Sequence, residues 1–174
     1  NFCTSFSDKD LVRALGRPFV FAIFTVVLTP FVSLGLAVLL NKPLRAKGAF
    51  RSSIFLPYVA SMVAIGVVWN MLLQKDFGPV NQLLRTLGVT NPPGWTASTD
   101  WALPAVIIVF IWKNMGYYMI VYLAALQDIP TELREASVLD GANNRAYFWQ
   151  IVMPLLAPST FFVVFMLACL LYHS

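Results

Sequence analysis

The run PFVFAIFTVVLTPFVSLGLAVLL, residues 18–40, holds 23 residues and no charge. As a helix rising about 1.5 Å per residue it reaches roughly 35 Å, enough to cross the ~30 Å hydrocarbon core of a bilayer. Its only hydroxyl side chains are Thr25, Thr29 and Ser33, so no polar stripe faces water. A helix apolar all round is either deeply buried or surrounded by lipid. The neighbouring sequence decides between the two. Residues 52–73 hold 22 positions without a charge, residues 102–126 hold 25 interrupted only by Lys113, and residues 154–172 hold 19 more. Four such segments in 174 residues leave no room for an aqueous globule around them.

Composition agrees. The chain is 59% hydrophobic and 11% charged, with mean hydropathy +0.72, against about 45–50% and about 25% in an ordinary soluble domain. That excludes most soluble enzymes, disordered tails and nucleic-acid binders. The net charge of +4 and pI near 9.3 belong to loops, with Lys42, Arg45, Lys47 and Arg51 falling in the single gap 41–51. No nucleic-acid partner follows from it. Cys3 and Cys169 are far apart and form neither a disulfide framework nor a metal-ligand spacing. Residues 1–17 mix acids and bases and do not read as a signal peptide.

Basic residues concentrate on the cytoplasmic side of membrane proteins. The dense cluster in 41–51 therefore places that gap inside. Alternation puts 127–153 inside as well, and 1–17 and 74–101 outside. Pro18 and Pro30, Pro57 and Pro158 are expected to kink the first, second and fourth spans. In the outer gap, Phe77-Gly78-Pro79 reads as a turn. Val80, Leu83, Leu84 and Leu87 predict a short amphipathic helix that Gly88 ends. Trp95 and Trp101 suit a membrane–water boundary.

The inner gap 127–153 is the most informative. Pro130 fits a first helical turn, with a cap near Asp128 or Ile129, and Glu132 and Glu135 favour its positive N-terminal half. Gly141 ends that helix. Asn143 or Asn144 then caps a second helix, which runs through Tyr147, Phe148, Trp149, Ile151 and Val152 into the last span. A short helix lying along a membrane packs on its own loop or fills a groove in another protein.

The spacing of Glu135, Ala136, Ser137, Gly141, Ile151, Met153 and Pro154 resembles the EAA loop of permease subunits in binding-protein-dependent ABC importers. Ser137 stands for the second Ala and Met153 for Leu. The run Leu40-Asn41-Lys42-Pro43 through Arg51, then Phe55-Leu56-Pro57-Tyr58, is similar to the sugar-permease branch that contains the maltose and glycerol-phosphate permeases. So are Trp69-Asn70, Asp76-Phe77-Gly78, Trp112-Lys113 and Leu126-Gln127 with Ile129-Pro130.

The resemblance implies an all-α polytopic membrane bundle, with four visible transmembrane helices of an expected six-helix permease core. Residues 1–174 then form one partial permease domain in a prokaryotic inner membrane. The subunit carries solute and is not an enzyme. The implied partners are a cytoplasmic ABC ATPase dimer, a second permease subunit, an external solute-binding protein, membrane lipid and a small-molecule solute. The solute is a carbohydrate, a polyol or a glycerol phosphate, and no cofactor is implied. Glu135, Ala136, Ser137, Asp140 and Gly141 would couple to the ATPase. An alternative expectation is a truncated, transport-inactive permease fragment, because the family usually has about six spans of roughly 20 residues.

Lys113 sits mid-span, where a charge costs about 2.5–3.5 kcal/mol on insertion scales. It therefore faces a solute path, a partner or a cluster of carbonyls. With Asn114 and Tyr117 it forms the expected substrate-path set, since Gly116-Tyr117 matches the place where maltose-type permeases contact solute. An intramembrane enzyme is disfavoured, as neither H-E-x-x-H nor G-x-S-x-G occurs.

Overall fold

The computed structural model describes residues 9–42, 47–95, 98 and 101–173, excepting the side chains of 9–15 and 173. Arg45, Cys3 and most of the outer segment 1–17 lie outside these or outside the described side chains. The described chain is all-α. Its helices are α1 Lys9–Asn41, α2 Lys47–Val59, α3 Met62–Leu72, α4 Pro79–Thr86, α5 Ala102–Gln127, α6 Thr131–Leu139, α7 Asn144–Leu155 and α8 Ala157–His173. Within them Gly16–Asn41 and Ala102–Gln127 are long and apolar enough to cross a membrane. Up to four spans result if α2 with α3, and α7 with α8, each count as one.

Two compact units divide the chain: Asn1–Thr25 with Val59–Lys113, and Val26–Tyr58 with Asn114–Ser174. The expected single span over 52–73 proves to be interrupted where the first unit resumes at Val59. The helix containing Pro57 stops at Val59, and Ser61 turns extended (φ −57°, ψ 134°) to cap α3. Pro57 has no amide hydrogen and its ring crowds the turn behind it, so the helix yields within one turn of it. Just past the end of α2, Lys113 Nζ donates to the Ala60 carbonyl at 3.0 Å.

The segment between α3 and α5 in this unit departs from the amphipathic pattern read in its sequence. Leu83 and Leu87 are exposed, and the buried residue of α4 is Asn81. Its amide nitrogen donates to the carbonyls of Lys75 and Pro93, both at 3.1 Å, while its Oδ1 accepts from Trp95 Nε1 at 2.8 Å. Trp95 thus serves as a tether inside the loop, with its ring edge-on to Trp101 at 5.4 Å. Gly88 ends α4 as expected. Its φ is +95°, its amide donates to Arg85 O, and Val89 N donates to Leu84 O. That pair of bonds is a Schellman motif, which requires the left-handed conformation that glycine adopts most readily.

In the second unit the interior is lined by small and hydroxyl side chains of α1. Thr29, Ser33 and Ala37 are fully buried at four-residue spacing, whereas Phe31 and Leu39 face outward. Large residues outside and small ones inside reverse the soluble pattern and suit packing in lipid, where close backbone approach is what holds helices together. Ser33 Oγ donates to Met115 O of α5 at 3.2 Å. One residue on, Gly116 brings α5 against α2. A Cβ there would collide with the Ile54 carbonyl oxygen and stand 2.9 Å from Phe55 Cα.

In α7 the helix passes through a π turn, Phe148–Val152, immediately before Pro154, and α8 leaves at 58°. A proline cannot donate to the carbonyl four residues earlier. The widened turn lies where Pro154 leaves Gln150 without that bond, and the bend lies just before Pro158, which leaves Pro154 without one.

Gly116→Ala is expected to destabilise the protein by about 1–3 kcal/mol through overpacking against a backbone that cannot retreat. Gly35→Ala, with open space around its Cβ position, is expected to be neutral or stabilising by up to about 1 kcal/mol; thermal unfolding in detergent compares the two. Asn81→Leu strands two carbonyls and an indole N–H, and limited proteolysis should then cut residues 75–95 at least about tenfold faster.

Candidate functional site

The segment 127–153 is built by local rules. Pro130 occupies the cap position itself (φ −59°, ψ 138°), so α6 begins at Thr131, one residue later than its sequence predicts. Glu132 sits in the first turn, where the amide dipoles favour an acid. The helix closes in a second Schellman motif: Gly141 has φ +76°, its amide donates to Val138 O at 3.1 Å, and Ala142 N donates to Ser137 O at 2.9 Å. Of the two candidate asparagines, Asn143 is the cap of α7, its Oδ1 accepting from Ala146 N at 2.7 Å.

These constraints fix which faces α6 presents. Ser137 is its one buried residue, and its Oγ donates to Arg134 O at 2.7 Å. The hydroxyl is therefore satisfied within the helix, and its small side chain occupies the inward position. Glu135, Ala136 and Asp140 are exposed, as are Val138 and Leu139, the latter 88% accessible. Arg134, Glu135, Val138 and Leu139 line one shallow groove. An exposed leucine and valine beside Glu135 and Arg134 form an apolar edge flanked by one charge of each sign, chemistry that suits a protein partner with a complementary charged rim. The five residues expected to couple, Glu135, Ala136, Ser137, Asp140 and Gly141, thus share one helix and its cap, with Ser137 facing inward.

The three residues expected along a solute path follow one another on α5 but divide between the two units. Lys113 belongs to the first, where it holds the Ala60 carbonyl. A backbone carbonyl partner was one of the environments its mid-span charge demands. Asn114 and Tyr117 belong to the second. Asn114 is buried, and Tyr117 is half-buried with its ring stacked on Tyr58 at 4.8 Å and 17°. Phe55 lies 5.7 Å from Tyr58, and Tyr118 meets Tyr117 edge-on at 5.1 Å. Together these four rings form an aromatic ladder where α2 and α5 approach.

Tyr58 was absent from the sequence-derived set. Its signal was the adjoining Pro57, which marks where a helix ends and side chains gather. Among the described residues no group of three or more His, Cys, Asp or Glu could hold a metal ion.

Comparison with known proteins places this geometry. Residues 11–171 match the family described as binding-protein-dependent transport system inner membrane component. The chain is 34% identical over 168 residues to the sn-glycerol-3-phosphate transport system permease protein UgpA of Agrobacterium fabrum, covering 94% of this chain and 55% of that one. It is 36% identical over 164 residues to the lactose transport system permease protein LacF of Rhizobium radiobacter, covering 93% and 55%. It spans, therefore, about half the length of these relatives.

Among solved structures, the fold is similar to a bacterial ABC transporter involved in import of the acidic polysaccharide alginate. The TM-score is 0.83 at 24% identity, over 95% of this chain and 58% of that one. It is also similar to the alginate transporter in complex with alginate pentasaccharide-bound periplasmic protein, with TM-score 0.81 at 25% identity over 91% and 56%. The match over nearly all of the chain shows that it belongs to the family of inner membrane components of binding-protein-dependent transport systems.

Proposed function

We propose that the chain acts within the permease subunit of an ATP-driven importer for a carbohydrate, polyol or glycerol-phosphate solute. The observation that carries this reading is α6. It is a short helix whose exposed edge joins Glu135 to Val138 and Leu139, and a glycine motif connects it within four residues to α7. Such an edge is stable in water only at some cost in exposed apolar surface, a cost that docking into a groove removes.

The proposed docking partner is a cytoplasmic ATPase subunit, with Glu135 paired to a basic side chain of its groove. Movement of α6 on closure of the ATPase dimer passes through the fixed turn at Gly141 into α7. A second permease subunit completes the path, and an external binding protein delivers the solute. The glycerol-phosphate and lactose permeases among the relatives support this solute range.

In the path itself, the Tyr58–Tyr117 stack offers ring faces to sugar C–H groups and hydroxyls to sugar oxygens. Lys113, Asn114 and Tyr117 remain the proposed path residues. Lys113 already has a backbone partner, which gives it a role in holding the interrupted span as well.

Charge reversal in Glu135→Lys should leave ATP hydrolysis by the assembled importer running while solute uptake collapses, because a like-charge contact replaces a pair worth about 2–5 kcal/mol. Normal uptake would remove the coupling assignment. Tyr117→Ala should raise the uptake KM about fivefold to tenfold, the loss of one aromatic contact of about 1–1.5 kcal/mol. An unchanged KM removes Tyr117 from the path.

A further inference from the structure

A cavity of about 80 Å³ in the second unit is lined by Leu40, Lys47, Gly48, Arg51, Leu123 and Gln127. Two of these six are cationic and none is acidic. Arg51 Nε is buried and has no hydrogen-bond partner among the described residues. Lys47 Nζ reaches the Asn41 carbonyl at 3.5 Å, the outer limit of a hydrogen bond. A guanidinium nitrogen withdrawn from water without an acceptor is costly, so the cavity as built calls for an anion.

Its place in the sequence says which kind. Leu40 is the last residue of the charge-free run 18–40, and Gln127 is the last residue of α5. Leu40 and Leu123 supply apolar walls, while Lys47, Arg51 and Gln127 supply donors. Cations next to apolar walls, at the level where two membrane-length helices end, match the depth of lipid phosphates.

We propose that this cavity binds the phosphate group of an anionic phospholipid, with Arg51 as the principal donor and Lys47 as its second cation. Gly48, between the two cations on the first turn of α2, has nothing within 4 Å of its Cβ position, which leaves the headgroup open space on that side. The site is separate from α6 and from the aromatic ladder, and it rests on the membrane reading alone, not on transport.

The test uses the protein purified in its membrane-assembled form and reconstituted into nanodiscs of phosphatidylcholine doped with phosphatidylglycerol. Native mass spectrometry counts the phosphatidylglycerol retained after release. Arg51→Gln and Lys47→Gln are each expected to lower retention about fivefold, while Arg85→Gln, an exposed cation of the outer helix α4, leaves it unchanged. Arg51→Lys, which keeps a charge in the cavity, should retain more lipid than Arg51→Gln.

Millimolar inorganic phosphate separates the two sources of the same chemistry. Retention that withstands it assigns the site to lipid, whereas displacement assigns it to a free phosphate and overturns the lipid source. Equal retention in all variants overturns the proposal. So does an equal fall in thermal stability of Arg51→Gln in nanodiscs lacking phosphatidylglycerol, which would mean that a group of the protein fills the cavity. Neither result bears on the coupling role of α6, which is read by uptake.

Discussion

Inside an apolar surrounding, a backbone carbonyl that loses its helical donor has no water to turn to, and each such group costs several kcal/mol. This constraint organises the chain wherever proline interrupts it. Past Pro57, where α2 ends at Val59, Lys113 reaches 3.0 Å to the Ala60 carbonyl. Before Pro154 the backbone widens into a π turn, before Pro158 it bends, and at that bend the Leu156 carbonyl accepts from both the amide and the hydroxyl of Thr160, at 2.8 and 2.9 Å. A mid-span lysine is expensive on its own, and a bare carbonyl is expensive on its own. Placed together, each removes part of the other's cost.

The same constraint explains why the interior is made of small hydroxyl and alanine side chains. Lipid surrounds large apolar residues as well as protein does, so burying leucine brings helices little. Dispersion and short polar contacts decide instead, and both need the backbones close. Thr29, Ser33, Ala37 and Gly116 permit that approach, and the Ser33 hydroxyl uses it to reach Met115. The aromatic ladder of Phe55, Tyr58, Tyr117 and Tyr118 gathers beside Gly116 because the missing side chain leaves α2 and α5 near enough for rings on both to stack.

Much of this was legible in the sequence, and the reason differs by element. Charge-free runs of membrane length are long signals, and the α1 and α5 helices emerge from them directly. Gly88 and Gly141 were legible because ending a helix in the left-handed region is a demand that few residues meet. Pro130 and Gly141 bracketed α6 within a residue at its start, and the asparagine pair contained the next cap, Asn143. The break after Pro57 was less legible. Proline announces a weak point, but whether a helix kinks or stops depends on a donor 53 residues away in sequence. Asn81 was the clearest omission. Hydropathy ranks it as the residue to expose, and only three partners from both sides of α4 make its burial favourable.

The Asn81 contacts span 6, 12 and 14 residues of sequence, whereas Ser33 to Met115 spans 82. Loop closure grows more demanding with separation, and short-range contacts form first. The outer segment can therefore reach its native arrangement soon after it emerges, while α1 still waits for α5 to be synthesised. A small pre-formed knot holds the ends of α3 and α5 in reach of each other before the contact between Ser33 and Met115 can close.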